Sequence, residues 1–160
     1  MRVRRATATD HAAIGEVTVA AYEQFLTGAE DFYVAPLRDA AARDREAELW
    51  VAIADDGEVL GSVTLCPAGS PWREIGSDDE AEFRMLAVSP TAQRRGVGSA
   101  LMDLVERRAR EDGARAIVLS SLADMTAAHR IYRRQGFERV PERDWSPADG
   151  VHLIAFRKEL

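Results

Sequence analysis

One stretch in the middle of the chain constrains its fold more than any other. It runs from a strand-like apolar segment at residues 82–88, past Ser89-Pro90, through a turn with Gly96 and Gly98, into a long helix. The helix is indicated by an apolar stripe at helical spacing. The stripe consists of Val97, Leu101, Leu104, Val105 and Ala109. A strand, a glycine turn and an amphipathic helix in this order predict α/β layer packing.

The segment before this stretch predicts two helices and a hairpin. Residues 3–6 predict a short strand, and Thr9 or Asp10 can cap a first helix. Its apolar face is expected to carry Ile14, Val17, Ala21 and Phe25. Residues 37–43 predict a second helix that begins near Pro36, and residues 49–54 and 59–65 predict a hairpin across Asp55-Asp56-Gly57. Residues 66–80, with two prolines and two glycines, predict a long loop.

The segment after the long helix returns to the sheet. Gly113 ends that helix, and a strand, a helix and a final pair of strands are predicted to follow. Their ranges are 116–120, 126–135, 137–140 and 151–156. The whole chain, residues 1–160, is therefore expected to form one mixed α/β domain.

Charge and composition exclude several classes of function. A net charge of −6 disfavours binding to nucleic acid, because affinity for the phosphate backbone depends on clustered Lys and Arg. The hydrophobic share of 46% is ordinary for a globular protein, and no continuous apolar stretch near the N-terminus has the length of a signal peptide or membrane span. We therefore expect a cytoplasmic protein with no membrane or nucleic-acid partner, either a monomer or a homodimer.

Cysteine and histidine usage argues against disulfides and metal sites. The single cysteine, Cys66, cannot form an internal disulfide and is expected to be buried rather than nucleophilic. His11, His129 and His152 do not combine with it in zinc-binding spacing, so no metal is predicted. His129 is expected at the surface.

The glycine turn has the chemistry of an anion site. Gly96 and Gly98 let a ligand approach the backbone, and the first helical turn has unpaired N–H groups at the positive end of the dipole. Arg94 and Arg95 add positive charge, which favours a pyrophosphate. The alternative is that the glycines only begin a helix. The turn is neither G-x-G-x-x-G nor a Walker P-loop.

Two motifs together resemble a known family. Gln93-Arg-Arg-Gly96-Val-Gly98 follows the strand, and Ala128-His-Arg-Ile-Tyr132-Arg-Arg-Gln-Gly136-Phe137 follows downstream. The pair resembles the GNAT superfamily of N-acetyltransferases, most strongly over residues 82–137. The resemblance implies a mixed, mostly antiparallel sheet with splayed central strands, flanked by helices. Met125 stands where many members of the family carry an Asn.

The resemblance also implies acetyl-CoA as the cofactor. The backbone of Leu86, Ala87 and Val88 is expected to pair with the pantetheine arm like another strand. N–H groups of the glycine turn are expected to hold the pyrophosphate. The implied cofactor-binding residues are Leu86, Ala87, Val88, Gln93, Arg94, Arg95, Gly96, Val97, Gly98, Ser99, Ala128 and Tyr132.

The expected activity is acetyl-CoA-dependent transfer of an acetyl group to a primary amine of a small molecule or peptide, directly within a ternary complex. In the family, a tyrosine at the position of Tyr132 protonates the departing thiolate, and a glutamate at that of Glu82 acts as base, directly or through a water. Spacing alone allows Tyr132 to be a core residue and Glu82 a solvated one. A catalytically silent acetyl-CoA-binding sensor or docking module remains the alternative function.

The acceptor amine is expected to meet acids and aromatic side chains. Carboxylates attract an ammonium group, and aromatic faces hold a cationic or apolar body. The candidates are Glu23, Phe25, Tyr33, Trp72, Asp78, Asp79, Glu80 and Trp145. For each of them the alternative is a core aromatic or a solvated loop acid.

Overall fold

The computed structural model of the protein describes residues 1–28 and 30–160. In chain order the elements begin with strand β1, Arg2–Arg5, followed by helices α1, His11–Tyr22, α2, Val34–Arg38, and α3, Ala40–Glu46. Three strands follow: β2, Glu48–Ile53, β3, Val59–Leu65, and β4, Glu80–Val88. After them come α4, Val97–Glu111, β5, Ala116–Leu122, and α5, Thr126–Arg134. Three strands close the chain: β6, Glu138–Arg139, β7, Trp145–Ala148, and β8, Val151–Glu159.

The eight strands form one twisted sheet in the order β1-β2-β3-β4-β5-β8-β6, with β7 also paired to β8. All neighbours are antiparallel except β4 and β5, which run parallel. This confirms the mixed, mostly antiparallel architecture with flanking helices. The long loop is also confirmed, but β4 already begins at Glu80, the residue at which the loop was predicted to end.

The main core lies between the sheet and α4. The predicted stripe of α4 is buried at every position, from Val97 at 1% exposed to Ala109 at 2%. It packs against β3, β4 and β5 through a cluster that includes Leu60, Phe83 and Ile117. The apolar periodicity of α4 therefore located the core correctly.

The buried face of α1 differs from the prediction. Ile14 is buried as expected, but Gly15, Thr18 and Tyr22 complete the buried face, whereas Val17, Ala21 and Phe25 do not. The cause is a polar contact inside the protein. Arg43 is fully buried behind α1, where it donates to Thr64 Oγ1 at 3.0 Å and to the Leu37 carbonyl at 2.7 Å. Thr18 faces this guanidinium, at 3.5 Å.

The single predicted helix at residues 37–43 is two helices. They are separated at Asp39, whose carboxylate accepts a hydrogen bond from the Ala42 N–H at 3.0 Å and so caps α3. Pro36 lies within the first turn of α2, where the missing N–H has no helical partner to lose. The final strands are correctly predicted as a pair, with β7 as an addition. No helix in the described part of the chain is long and apolar enough to cross a membrane.

Candidate active site

The central strands separate and open a cleft. β4 and β5 pair only from Glu80 to Glu82, opposite Ala116 to Val118. Beyond Glu82, β4 stays paired with β3 on one edge, and its other edge faces a cavity. A strand edge without a partner strand is unusual in the interior of a sheet and can accept an extended ligand. This is the splayed arrangement that the family resemblance implies.

A β-bulge shapes the exposed part of β4. Ser62 and Thr64 of β3 lie opposite Ala87 and Arg84 of β4. The interval between the two pairs is therefore two residues on β3 and three on β4, so β4 carries one extra residue. Met85, within the bulge, has φ of 53°, a left-handed conformation that is uncommon for residues other than glycine. The bulge turns the backbone of β4 toward the cleft where Leu86 lines it.

The turn after β4 leads to a helix end without a side-chain cap. Arg94 and Gly96 both have left-handed φ, 62° and 78°, and no side chain among the described residues caps the first N–H groups of α4. A Cβ added at Gly98 meets only the side chains of Ile131 and Val88, at 3.7 Å. Protein packing therefore does not require glycine there, and the space beside the helix end can take a ligand. Gln93, Arg94 and Arg95 are exposed beside it, so these residues fit a pyrophosphate.

Tyr132 lies on α5 and contributes to the cleft wall. It is 5% exposed, and its ring packs edge-on against Phe83 with the centroids 6.0 Å apart. Burial raises the pKa of its phenol well above the ordinary value of 10.0. The phenol is therefore protonated at neutral pH, and the raised pKa also makes it a weaker acid than a free tyrosine. Ala128, one turn earlier on α5, is half-buried against the main core.

His129 is buried, not at the surface as predicted from sequence. Its Nε2 lies 3.1 Å from both Ser121 Oγ and the Leu122 carbonyl oxygen. The ring also packs on Phe156, with the centroids 5.1 Å apart. Burial lowers the pKa of His129 and favours the neutral imidazole. The polar end of β5 thus supplies partners that allow a histidine inside, and His129 fastens α5 to the sheet.

Glu82 is not among the residues that line the cleft; it borders a separate cavity beside the end of α4, and its carboxylate lies in a nest of backbone amides. Its carboxylate accepts hydrogen bonds from the N–H groups of Glu74, Ile75 and Gly76 at 3.0, 3.1 and 2.8 Å. The residue is 1% exposed. In this position Glu82 fixes the path of the loop between β3 and β4.

That loop brings a carboxylate into the cleft that the sequence analysis missed. Glu74 lines the cavity, and its Oε1 lies 3.0 Å from Nε of Arg84, which lines it too. Arg84 also donates to the Trp72 carbonyl at 3.0 Å and to the Tyr33 hydroxyl at 3.3 Å. Phe83, Arg84 and Met85 alternate as in a half-buried strand, which predicts a solvent-facing Arg84, so the sequence carries no signal for this pair.

The predicted acceptor residues divide into two groups. Phe25 and Tyr33 line the cleft, and Trp72 stacks under Arg84, whose Cζ is 5.7 Å from the ring centroid. The indole N–H of Trp145 donates to Ser120 Oγ at 3.1 Å, and Ser120 is itself a lining residue. Four of the predicted aromatics are thus in or next to the cleft. The exposed Glu23 is not among the residues that line it.

The acids at the start of β4 lie elsewhere. Asp78, Asp79 and Glu80 border a separate cavity beside the end of α4. Glu80 is 6% exposed and is held by Arg143, at 2.9 Å, and by Arg157, at 2.8 Å. Asp79 pairs with Arg115 at 3.0 Å. The structure therefore does not bring these three carboxylates to the cleft, because β4 and β5 are still paired at this end.

Comparisons with known proteins agree with this geometry. Residues 12–137 match the acetyltransferase (GNAT) family. Mycothiol acetyltransferase from Cellulomonas flavigena is 34% identical in an alignment of 138 residues that covers 74% of this chain and 38% of that protein. The chain spans less than two thirds of the length of the curated relatives it matches first.

Solved structures share the fold along the whole chain. A GNAT-family acetyltransferase from Staphylococcus aureus has a TM-score of 0.77 at 15% identity, covering 99% of this chain and 98% of that one. PaiA N-acetyltransferase from Thermoplasma acidophilum, in complex with coenzyme A, has a TM-score of 0.72 at 16% identity, covering 99% and 98%. The chain belongs to the acetyltransferase (GNAT) family.

Proposed function

We propose that the protein is an acetyl-CoA-dependent N-acyltransferase that moves an acetyl group directly to a primary amine. The observation that carries the proposal is the cleft itself. There an unpaired edge of β4 and a protonated phenol line one cavity, and the uncapped end of α4 lies near the last residue of β4 and α5, where a Cβ at Gly98 would meet Val88 and Ile131. Each of the three is suited to one part of an acyl-CoA: the pantetheine arm, the pyrophosphate and the sulfur.

The cofactor would be held mainly by backbone. The free edge of β4 at Leu86, Ala87 and Val88 offers N–H and C=O groups to the amides of a pantetheine arm. The N–H groups of Val97, Gly98 and Ser99 have no helical partners and would hold a pyrophosphate at the helix end. Exposed Arg94 and Arg95 add charge there, and Gln93 and Ala128 border the same region. When bound, acetyl-CoA supplies an acyl group activated as a thioester.

Tyr132 is the proposed proton donor. Its phenol is protonated and buried in the cleft wall, so it can give its proton to the sulfur as the C–S bond breaks. The new bond joins the amine nitrogen to the acyl carbon, and a proton leaves that nitrogen. The proposal that Glu82 accepts it, through a water, stays a prediction, since three backbone N–H groups already hold this carboxylate.

Direct transfer is favoured over an acyl-cysteine intermediate. Cys66 is 1% exposed and borders the second cavity, away from Tyr132. Burial raises the pKa of its thiol to about 12, so the reactive thiolate is scarce at neutral pH.

A thiol-release assay across amine classes tests the activity. The protein is incubated with acetyl-CoA and, separately, an arylalkylamine, a polyamine, an amino sugar and a lysine peptide, and free CoA is measured over time. We expect CoA release that depends on at least one amine, with a product heavier by one acetyl group. Acetyl-CoA should raise the melting temperature, and NAD should not. Tight acetyl-CoA binding without turnover of any amine would instead favour a silent sensor or docking module.

A further inference from the structure

We propose that the acceptor is a primary amine on an apolar, ring-bearing body, and that Glu74, held in place by Arg84, receives its nitrogen. This inference rests on the proposed function, because it assigns the acceptor side of the same cleft. It replaces the loop acids near the start of β4 with a carboxylate that the structure brings to the cavity.

The position of Glu74 is fixed from several sides. Glu82 accepts the N–H of Glu74 itself, so the loop cannot shift without breaking that nest. Arg84 holds Oε1 at 3.0 Å, and both side chains are about one-seventh exposed, 15% and 14%. Because Oε1 lies in this contact, Oε2 can accept a hydrogen bond from a ligand. A fixed, half-paired carboxylate of this kind is suited to one ammonium group.

Arg84 is itself held rigidly, so it does not compete for the ligand. Its guanidinium donates to the Trp72 carbonyl and to the Tyr33 hydroxyl, and it stacks on the Trp72 ring. Nη1 and Nη2 thus each have a bond to the protein, and Nε faces Glu74, so every nitrogen of the guanidinium has a protein partner. The guanidinium therefore acts as a support for Glu74.

The charge of the cleft favours a monoamine over a polycation. The lining residues that are formally charged at neutral pH are Asp31, Glu74 and Arg84, a sum of −1. Asp31 already accepts hydrogen bonds from Thr27 and from the Tyr33 N–H at 2.9 Å, which fold its own loop. One carboxylate thus remains for a ligand. A polyamine or an aminoglycoside would leave its further ammonium groups against apolar walls, which is costly.

The apolar walls of the cleft match an amine whose remaining part is apolar. On the side of α1 and α2 they are aromatic, and on the side of β7 and β8 they are aliphatic. The residues concerned are Tyr22, Phe25, Phe32, Pro147, Val151 and Leu153. Phe32 is 68% exposed, which is unusual for a large apolar side chain, and it lies at the opening where an apolar ligand would cover it.

The raised pKa of Glu74 agrees with its proposed role as the acceptor of a proton from the amine. Burial, assisted by the charge of Glu82, raises its pKa, while Arg84 opposes that rise. A carboxylate with a raised pKa accepts a proton more readily. The ammonium loses two protons as it becomes an amide: one passes to Glu74, which takes the place of Glu82 as the acceptor, and then to solvent, and the other replaces the proton that Tyr132 gives to sulfur.

The first experiment compares acceptors and variants. With wild-type protein, we expect phenethylamine to give a kcat/KM at least about tenfold above that of spermidine or glucosamine. Glu74→Gln should raise the KM for phenethylamine by about tenfold or more and leave the KM for acetyl-CoA within about twofold. Glu74→Asp keeps the charge on a shorter side chain, so its KM for phenethylamine should lie between those of wild type and Glu74→Gln. Glu58→Gln, an exposed acid at the β2–β3 turn, is the matched control and should change neither.

The second experiment separates this inference from the proposed function. Calorimetry measures phenethylamine binding to the protein saturated with CoA, where no transfer can occur. Binding that Glu74→Gln weakens at an unchanged melting temperature supports the inference even if no amine is turned over, in which case the proposed activity fails alone. Turnover with unchanged phenethylamine KM in Glu74→Gln, or a preference for spermidine, would overturn the inference and leave the activity intact. If Glu74→Gln does not fold, Glu74→Asp decides by the same criteria.

Discussion

The two sides of the cleft are built from different parts of the chain. The proposed cofactor side is mostly backbone and comes from one continuous stretch, β4, the glycine turn and the start of α4. The proposed acceptor side is mostly side chains, and it comes from the α1–α2 region, the β3–β4 loop and the β7–β8 hairpin. A backbone site depends on local conformation, whereas a side-chain site depends on how distant segments meet. The first is therefore the easier to recognise in a sequence, and the second is where related chains can change substrate.

The largest expected effect lies where the two sides meet, at Tyr132. Tyr132→Phe removes the hydroxyl and keeps the ring that packs on Phe83. Turnover should fall by roughly ten- to a thousandfold, the range expected for loss of a general acid. Affinity for CoA should stay within a few-fold, measured by calorimetry. Unchanged turnover under conditions where chemistry is rate-limiting would make Tyr132 a core residue only.

Gly98→Asp tests the backbone side alone. It places a negative charge where the pyrophosphate is expected, so CoA affinity should fall by about tenfold or more. The fold should survive, because a Cβ at this position meets only ordinary contacts at 3.7 Å. Gly98→Ala is the control for volume and should lose less affinity. Equal CoA affinity in wild type and Gly98→Asp would move the phosphate site elsewhere.

The two sides of the cleft also differ in how far the sequence could predict them. The turn with Gly96 and Gly98, and the stripe of α4, were predictable because strand, turn and helix are contiguous and periodic. The pair of Glu74 and Arg84 was not predicted, because the loop that carries Glu74 has no periodicity and its path is set by Glu82. Arg84 between two apolar residues of a strand is the ordinary alternating pattern, so it did not indicate a buried partner either.

Burial of polar residues limited the sequence analysis in the same way. His129 is inside because Ser121 and the Leu122 carbonyl meet it at the end of β5. The buried face of α1 is displaced because Arg43, from α3, lies behind it. Both depend on tertiary partners, which hydrophobic periodicity does not report.

The next largest effect is expected in the free energy of unfolding and not in catalysis. Burial opposes ionisation of Glu80, but hydrogen bonds from Arg143 and Arg157 outweigh it and hold the pKa at about 2, below the ordinary 4.5. The ionised form therefore stabilises the fold above pH 4.5, and this contribution is lost as the pH falls toward 2. Glu80→Gln should lower the free energy of unfolding near neutral pH by about 1 to 3 kcal/mol.

Denaturant unfolding at neutral and acidic pH measures that change. The difference between wild type and Glu80→Gln should shrink across this acid range. If the difference in free energy of unfolding does not depend on pH, the packing of Glu80 and not its charge stabilises the fold. The KM values for acetyl-CoA and amine should stay near wild type, since Glu80 lies outside the cleft.

The smallest effect is expected from the exposed acids beside Glu80. Asp78→Ser and Asp79→Ser together should change the acceptor KM by less than about twofold at ordinary salt, because exposed charges outside the cleft are screened. Steady-state kinetics with varied amine checks this. A several-fold rise in the acceptor KM, larger at low salt, would return these acids to the acceptor site and weaken the division drawn above.

The most direct test of the backbone cofactor site is amide hydrogen exchange with and without CoA. The account predicts slower exchange in peptides covering residues 84–88 and 96–100, where CoA would pair with the free edge of β4 and the first turn of α4. Peptides from residues 66–79, on the acceptor side, should change little, since CoA alone does not reach them. Protection confined to that loop, or no change at β4 and α4 with CoA bound, would contradict it.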